Sequence, residues 1–230
     1  MPGILYAIPT PLGGAVADAL PAPALATVRT LRHFVVENAK SARAFLKAAG
    51  SDPKTLQILE LDENSNTQDL LKPLKEGDSI GLLSEAGCPA IADPGAALVA
   101  AAQAAGIRVV PLVGPSSIVL ALMASGLEGQ RFAFCGYLPR EPDARRKKIG
   151  ELEARSRRER ETQVFIETPY RSDAMLGALL EACSPGTLLC VASDLTLPSE
   201  QISTRPVAAW RSSRHAIGKR PTVFLLLSGS

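Results

Sequence analysis

Three segments rich in glycine and proline carry the residues of this chain that are best suited to hold a small polar ligand. They are residues 9–14 (PTPLGG), 84–95 (SEAGCPAIADPG) and 113–117 (VGPSS), and each follows an apolar run. Glycine lets a backbone approach a ligand closely, so these turns would present main-chain amide and carbonyl groups to it. Each turn alone is a weak signal, because glycine and proline end strands in any fold. Their order within one half of the chain is more specific.

Other familiar chemistries lack their motifs. Neither GxGxxG nor GxxxxGKS or GxxxxGKT occurs, so a standard dinucleotide loop and a triphosphate loop have no support. No GxSxG motif is present, and a Ser-His-Asp triad would have to use His33 or His215, neither of which has a suggestive context. The cysteines form no CxxC pair, so we expect reduced thiols and no metal site. They are Cys88, Cys135, Cys183 and Cys190.

Length and composition are those of a globular protein. The 230 residues are 46% hydrophobic and 21% charged, with a net charge of +2. The length fits one large domain or two domains of ordinary size, and we favour two. No apolar run approaches the roughly 20 residues that cross a bilayer. Residues 1–14 lack the basic leader of a secretory signal, so we expect a cytoplasmic protein with no membrane segment. The small net charge does not by itself indicate a nucleic-acid binder.

The elements that would position the three turns alternate as in an α/β domain with a largely parallel sheet. Ligands bind such sheets at the carboxyl ends of the strands, where these turns lie. We place a boundary near Gly114, which gives domains 1–114 and 115–230. In the first domain the predicted strands are 3–9, 34–38, 56–61, 79–84 and the run before residue 113, and the predicted helices are 18–31, 41–50, 67–75 and 94–106.

The second predicted domain contains a strongly charged stretch, residues 139–161. Its interspersed glutamates favour a solvated loop and helix. The alternative is a surface for RNA or another polyanion, with phosphate contacts from Arg145, Arg146, Lys147, Lys148, Arg155, Arg157 and Arg158. Around this stretch the predicted strands are 132–138, 162–167, 187–194 and 221–229, and the predicted helices are 118–126 and 172–183.

Six motifs follow one another along the chain: LYAIPTPLGG, VENAK, SEAGCPAIADPG, VVPLVGPSS, FAFCGYLPR and FIETPYR. In this order they resemble the tetrapyrrole methylase superfamily, the class III S-adenosylmethionine-dependent methyltransferases. The similarity is strongest to its ribosomal RNA 2′-O-methyltransferase branch, with segments like LYVVATPIGN, AEDTR, SDAGTPLISDPG, VxPxPGPSA, FxFxGFLPR and YEAPHR. The resemblance implies two α/β domains, each with a mostly parallel or mixed central sheet flanked by helices. It also implies S-adenosylmethionine in the cleft between them and commonly a homodimer.

The resemblance further implies which residues contact the cofactor, in turns of both domains. The implied cofactor-binding residues are Leu12, Gly13, Glu85, Gly87, Cys88, Pro89, Ile91, Ser116, Ser117, Ile118, Ile166, Glu167, Thr168, Pro221 and Thr222. The alternative for each is a structural role, such as shaping a turn, filling space or capping a helix.

The chain departs from the family pattern beside this site. Residues 37–40 read ENAK where the RNA branch has EDTR, and Glu85 and Cys88 stand in place of an aspartate and a threonine. An ammonium is not equivalent to a forked guanidinium at a phosphate or carboxylate. The predicted catalytic or orienting residues are Glu85, Lys40 and Arg171, with Glu37 as a further candidate for the same role. The alternative is that they form surface ion pairs or turns.

Methyl transfer from a sulfonium is an in-line displacement, so the enzyme mainly fixes the acceptor atom and excludes water. No metal is required. We expect an S-adenosylmethionine-dependent methyltransferase that acts on RNA by ribose 2′-O-methylation. Two alternatives stay open: the acceptor is a tetrapyrrole or another small molecule, or the chain is a cofactor-binding module without catalysis.

Overall fold

A computed structural model describes residues 2–62, 65–212 and 216–229. The chain divides into two compact units, Met1–Ser116 and Ser117–Ser230. His215, one of the two histidines considered for a triad, lies outside the described residues. Among the described residues, no helix combines the length and the apolar composition that crossing a membrane requires.

The first unit is built on a parallel sheet of five strands, as its alternating apolar and helical segments predict. The strand order is β3-β2-β4-β1-β5, and every neighbouring pair is parallel. All four residues of the central strand β4 are buried, because helices cover both faces of such a sheet. The strands are β1 (Leu5–Ile8), β2 (His33–Val36), β3 (Gln57–Glu60), β4 (Ile80–Leu83) and β5 (Val109–Pro111).

In the described part of this unit six α-helices connect the strands, and two of the predicted helices are each divided in the structure. Pro21, in an extended conformation, interrupts the helix predicted over 18–31. The helix predicted over 67–75 is divided at Leu71, and the one predicted from residue 94 begins after Gly95, whose φ of 121° is not helical. The helices are α1 (Val16–Ala19), α2 (Ala22–Thr30), α3 (Ala39–Ala48), α4 (Thr67–Leu70), α5 (Lys72–Glu76) and α6 (Ala96–Ala104).

Alternate strand residues of the first unit form a core on each face of the sheet. Ile8 and Phe34 pack with α2 and α3 on one face, and Leu5 and Leu82 pack with α5 and α6 on the other. Gly81 in β4 allows the close approach of the first face, since a Cβ there would lie 2.7 Å from both Ile8 Cδ1 and Phe34 Cδ1. The sheet is therefore a fixed platform for the turns at its carboxyl edge.

The second unit has a mixed sheet in the order β6-β7-β10-β8-β9. Only the β6–β7 pair is parallel, and the other neighbours are antiparallel. Phe165 and Phe224 stack at its centre with ring centroids 5.7 Å apart. Its elements are α7 (Ser117–Ser125), β6 (Phe132–Tyr137), α8 (Pro142–Glu159), β7 (Thr162–Glu167), α9 (Ser172–Ala182), β8 (Leu188–Ser193), β9 (Gln201–Pro206), α10 (Val207–Arg211) and β10 (Thr222–Leu227).

Two elements of the second unit have no counterpart among the sequence predictions. Strand β9 (QISTRP) is mostly polar, and no apolar run indicates it; it forms the edge of the sheet by pairing with β8. Helix α10 follows it directly and buries Val207 and Trp210. In contrast, the charged stretch forms the single long helix α8, which begins after Glu141 caps its first turn.

Candidate functional site

The three turns of the first unit meet at the carboxyl edge of the parallel sheet. Strands β4, β1 and β5 are neighbours, so the turns that follow them emerge side by side. The first two turns are joined by a pair of backbone hydrogen bonds: Thr10 N donates to Gly87 O at 2.8 Å, and Gly87 N donates to Thr10 O at 3.0 Å. The buried Thr10 hydroxyl also donates to Ser84 O at 3.3 Å.

Glycines allow the close approach of these turns. A Cβ at Gly114 would lie only 2.4 Å from Pro9 Cβ, so the third turn packs directly against the first. Gly87, with a φ of 77°, lies beside Leu12, and a Cβ there would come within 3.3 Å of Leu12 Cδ2. Cys88 Sγ donates to Pro115 O at 3.4 Å and joins the second turn to the third. The structure thus brings the first-unit cofactor candidates into one group.

The second turn is held in an unusual backbone conformation. Ala90 and Ala92 have φ values of 66° and 65°, in the left-handed region that costs about 1–2 kcal/mol for a residue with a side chain. Ala90 N donates to Pro94 O at 3.3 Å, and this bond closes the loop around Ile91, which is 49% exposed. Backbone strain of this kind is concentrated at ligand sites, where the surrounding structure maintains it.

Three carboxylates lie together at the same edge. Glu85 N donates to Glu37 Oε2 at 3.0 Å, and Ser41 Oγ donates to Glu85 Oε1 at 3.2 Å. Burial raises the pKa of Asp93 from its ordinary 3.8 to about 6, and the negative charges of Glu37 and Glu85 add to this, while a hydrogen bond with Ser84 opposes it. Burial and the Asp93 carboxylate also raise the pKa of the Cys88 thiol.

Asp93 did not appear among the sequence-predicted site residues. The signal that could have identified it is the Asp-Pro-Gly at the end of the second turn, which this chain and the family segment share. The predicted residues Glu37, Lys40 and Glu85 all lie at the edge where Asp93 is found. The structure therefore groups an additional acid with them.

The ENAK segment forms the start of helix α3. Asn38 Oδ1 accepts hydrogen bonds from Lys40 N at 2.9 Å and from Ser41 N at 3.2 Å, and so caps α3 as an aspartate would. The side chain of Lys40 is exposed in the first turn of this helix. The segment therefore preserves the helix start while it changes the side chains presented to a ligand.

In the second unit, the predicted cofactor residues gather where β7 ends and β10 begins. The antiparallel register places Glu167 opposite Thr222, and Ile166 opposite Val223. Thr222 Oγ1 lies 2.9 Å from Ser193 Oγ, and Pro221 O accepts from Asp194 N at 3.1 Å. Thr168 directly follows Glu167 along the chain.

Glu167, which is buried, and Arg171, which is partly exposed, form an ion pair beside these residues. Glu167 Oε1 accepts from Arg171 Nε at 2.9 Å and from Thr168 N at 2.6 Å. Glu167 Oε2 and Arg171 Nη1 are buried and have no hydrogen-bond partner among the described residues. Arg171, predicted to be catalytic or orienting, is therefore largely engaged by Glu167.

The remaining predicted cofactor residues lie at the division of the chain. Ser116 ends the first unit, and Ser117 is both the first residue of the second unit and the first of α7. Ile118, one residue further along α7, is buried.

Ion pairs with glutamates engage four of the seven basic residues of the charged helix α8. These pairs lie on the solvent-exposed surface of the helix and around its ends. They join Arg146 to Glu181 at 3.5 Å, Lys148 to Glu151 at 3.6 Å, Arg155 to Glu161 at 3.0 Å and Arg158 to Glu159 at 2.7 Å. In the described parts of the chain, no cluster of histidine, cysteine, aspartate and glutamate could hold a metal ion.

Comparison with known proteins places this chain in a family. The family model described as tetrapyrrole (corrin/porphyrin) methylases matches residues 5–209. Ribosomal RNA small subunit methyltransferase I of Vibrio cholerae is 35% identical over 89% of this chain and 69% of its own length. The protein of the same name from Escherichia coli O157:H7 is 34% identical over 90% of this chain and 72% of its own length.

Solved structures share the fold at lower identity. The methyltransferase CobJ superposes with a TM-score of 0.63 at 20% identity and covers 99% of this chain and 95% of its own. The cobalt precorrin-4 methyltransferase CbiF superposes with a TM-score of 0.62 at 16% identity and covers 97% of this chain and 94% of its own. The two α/β units are thus those of this fold, and the chain belongs to the tetrapyrrole methylase family and is a methyltransferase.

Proposed function

We propose that this protein binds S-adenosylmethionine and transfers its methyl group to a ribose 2′-hydroxyl of ribosomal RNA. The observation that carries the proposal is the group of three hydrogen-bonded turns at the carboxyl edge of the parallel sheet, with carboxylates beside them. The named substrate of the relatives, small-subunit ribosomal RNA, supports the acceptor class.

The residues at this edge fit the chemistry of the cofactor. S-adenosylmethionine carries an ammonium and a sulfonium, and Glu37, Glu85 and Asp93 supply negative charge for such a ligand. The turn glycines leave no side chain between ligand and backbone, and Leu12 and Ile91 add apolar surface. Contacts from the residues at the β7 and β10 ends stay predictions.

The chain's own part in the reaction is to position groups and move one proton. When bound, S-adenosylmethionine supplies an electrophilic methyl group. The acceptor oxygen forms the new bond to the methyl carbon, the carbon–sulfur bond breaks with its electron pair going to sulfur, and the hydroxyl proton must go to a base. Holding the acceptor in line contributes most of the rate, and general-base catalysis contributes typically a further 10²–10⁴-fold.

Asp93 is the carboxylate best suited to accept that proton. Its pKa of about 6 lies near neutral pH, where a general base is most effective. Glu85 is more exposed and is tied to Ser41 and Glu37, so we assign it to orienting the cofactor or the acceptor. We assign Lys40 to contacting the negative charge of the acceptor. Arg171 is assigned to holding the turn that follows β7.

A small-molecule acceptor is the second candidate, and one observation favours it. Four of the seven cations of α8 are paired with glutamates, so this helix offers less positive surface to RNA than its sequence suggests. A module that binds the cofactor without catalysis is the third.

Two measurements test the proposal. Calorimetry with S-adenosylmethionine and with its demethylated thioether product should give binding, and Gly114→Val should weaken it, because the added side chain collides with Pro9. Tritiated methyl transfer should then label small-subunit ribosomal RNA and not a small-molecule extract. Label in the extract alone would support the second candidate, and binding without any labelled product would support the third. No binding at millimolar concentration would refute all three.

We also propose that the protein is a cytoplasmic homodimer. An exposed apolar strip on α7 supports the dimer, since Val119 and Met123 are four residues apart and 48% and 74% exposed. Sedimentation equilibrium tests it, with Met123→Glu expected to shift the protein toward a monomer. A monomeric wild-type protein would contradict the dimer.

A further inference from the structure

The turn that follows β7 presents an aromatic ring to solvent. Tyr170 lies in a one-turn 3-10 helix, Pro169–Arg171, and is 81% exposed. The ammonium of Lys219 lies 5.4 Å from the centroid of its ring. A cation over an aromatic face is stabilising, but at an exposed site by only about 0.5–1 kcal/mol. The fold therefore gains little from keeping this ring and this ammonium together on the surface.

The tyrosine side of the pair is rigidly held. Glu167 Oε1 accepts from Thr168 N at 2.6 Å and from Arg171 Nε at 2.9 Å, so both ends of the turn are fixed to the end of β7. Arg171 N also donates to Thr168 O at 2.9 Å. The buried carboxylate of Glu167 thus fixes the backbone from which Tyr170 projects.

The lysine side is fixed to the same place. Asp173 Oδ1, in the first turn of α9, accepts from Ile217 N at 2.6 Å. Ser172 Oγ donates to Arg220 O at 3.3 Å, and Arg220 Nε donates to Ile217 O at 2.6 Å. The segment that carries Lys219 is therefore attached to the start of α9, directly after Tyr170 in the chain.

Lys219 differs in its charge environment from the four paired cations of α8. Within the described residues it forms no ion pair, whereas four basic residues of α8 face glutamates. Arg220 beside it is already engaged, since Nη1 donates to Gln201 Oε1 at 2.9 Å. The ammonium of Lys219 thus remains available to a negatively charged ligand while it lies over the ring.

We propose that Tyr170 and Lys219 form a stacking platform for a base of the RNA acceptor, with Lys219 also contacting the adjacent phosphate. Single-stranded RNA is bound in this way, by unstacked bases on aromatic rings and by cations along the backbone. The backbone that carries each side chain is already fixed, so it loses little conformational entropy on binding. The inference rests on the proposed RNA acceptor and deepens it.

Paired substitutions test the platform. The probe is a single-stranded oligoribonucleotide with one 2-aminopurine, whose fluorescence falls on stacking, and affinity is measured by anisotropy. Tyr170→Ala should weaken binding about tenfold to a hundredfold and abolish the quenching, because it removes the stacking ring. Tyr170→Phe keeps the ring and should bind within about twofold of wild type. Lys219→Gln should reduce the slope of log affinity against log salt by about 0.7, the value for one phosphate contact on a single strand.

Controls separate this inference from the proposed function. The exposed Tyr170 and Lys219 variants should keep the wild-type melting temperature and the wild-type affinity for S-adenosylmethionine. If wild type methylates RNA and Tyr170→Ala binds the probe equally well, the platform is wrong and the proposed function stands. If wild type methylates only a small molecule, the RNA acceptor is wrong and the platform falls with it. If Tyr170→Ala alters dimerisation or cofactor affinity and not RNA binding, the ring serves another contact and the platform is overturned.

Discussion

At the scale of single residues, Asp93 is the group whose environment most changes its chemistry. Burial and the neighbouring Glu37 and Glu85 raise its pKa from 3.8 to about 6. An ordinary aspartate is fully ionised at neutral pH and a poor proton acceptor, whereas a carboxyl that titrates near pH 6 is a better match. The same environment makes the negative charge of Asp93 unfavourable for folding. Removing that charge should therefore lower the methyl-transfer activity and raise the stability.

The stability effect depends on pH. Because the folded protein holds the Asp93 proton more tightly than the unfolded chain, this group favours folding most below about pH 4 and loses that contribution as the pH rises through about 6. Asp93→Asn should therefore leave the free energy of unfolding near the wild-type value at pH 4 and raise it at pH 8. The full shift corresponds to ~3 kcal/mol, and solvent screening at this partly exposed side chain reduces the expected gain to about 1 kcal/mol. Urea unfolding at both pH values measures it, and a loss of stability at pH 8 would refute the charge cost.

The activity effect has a different pH profile. Wild-type methyl transfer should rise between about pH 5 and pH 7 as Asp93 ionises, with Glu37, Glu85 and Cys88 as the titratable groups that face it. Asp93→Asn should lower kcat by about 10²-fold or more and remove this rise, while cofactor affinity measured by calorimetry changes much less. Glu85→Gln is the matched comparison, and it should keep the pH profile. If the Asp93 variant keeps the wild-type pH dependence of methyl transfer, another group accepts the proton.

At the scale of elements, Asn38 of the ENAK segment caps the start of α3, where the family segment has an aspartate. Asn38 caps two backbone amides, and removing such a cap costs about 1 kcal/mol. Asn38→Ala should lower the free energy of unfolding by that amount, and Asn38→Asp should keep it or raise it slightly. Chemical denaturation of the two variants gives the comparison, and equal stability would mean that the cap is dispensable.

The junction of the turns can be tested through its glycines. A methyl group at Gly114 would lie 2.4 Å from Pro9 Cβ, so Gly114→Ala must displace the first or the third turn. We expect a loss of about 1–3 kcal/mol in stability, as for overpacked sites, and at least tenfold weaker binding of S-adenosylmethionine. Gly129→Ala is a suitable control, because no heavy atom lies within 4 Å of the added group. Unchanged cofactor affinity in Gly114→Ala would mean that these turns do not form the cofactor-binding site.

Elements with strong local signals were predictable from the sequence, and elements that depend on their neighbours were not. Apolar runs such as 79–84 became strands of the parallel sheet. Strand β9 is polar and exists because it pairs with β8, so a single segment could not indicate it. The turns at the site were found from glycine, proline and the family motifs. In contrast, the charge environment of Asp93 and the Glu167–Arg171 pair depend on contacts that only the folded chain creates.

At the scale of the whole molecule, the distribution of charge matters more for RNA binding than the net charge does. The net charge is only +2, and the densest basic run in the sequence, residues 145–148, lies on helix α8, where glutamates pair with Arg146 and Lys148. Four of the seven basic residues of α8 face glutamates, whereas the Lys219 ammonium forms no ion pair within the described residues and lies over an exposed ring. These two surfaces make opposite predictions for RNA binding, because only a cation that releases a counterion from the RNA changes the salt dependence of affinity.

Substitution on each surface distinguishes them. Arg158→Gln removes a guanidinium that lies 2.7 Å from Glu159 and should change RNA affinity less than twofold, with the salt slope unaltered. Lys219→Gln should reduce that slope by about 0.7 under the same conditions. Anisotropy titrations of one oligoribonucleotide between 50 and 200 mM salt, about the range over which such contacts are resolved, give both values. If Arg158→Gln lowers the slope as much as Lys219→Gln does, α8 also contacts phosphate, because an internally paired cation would have had no counterion to release.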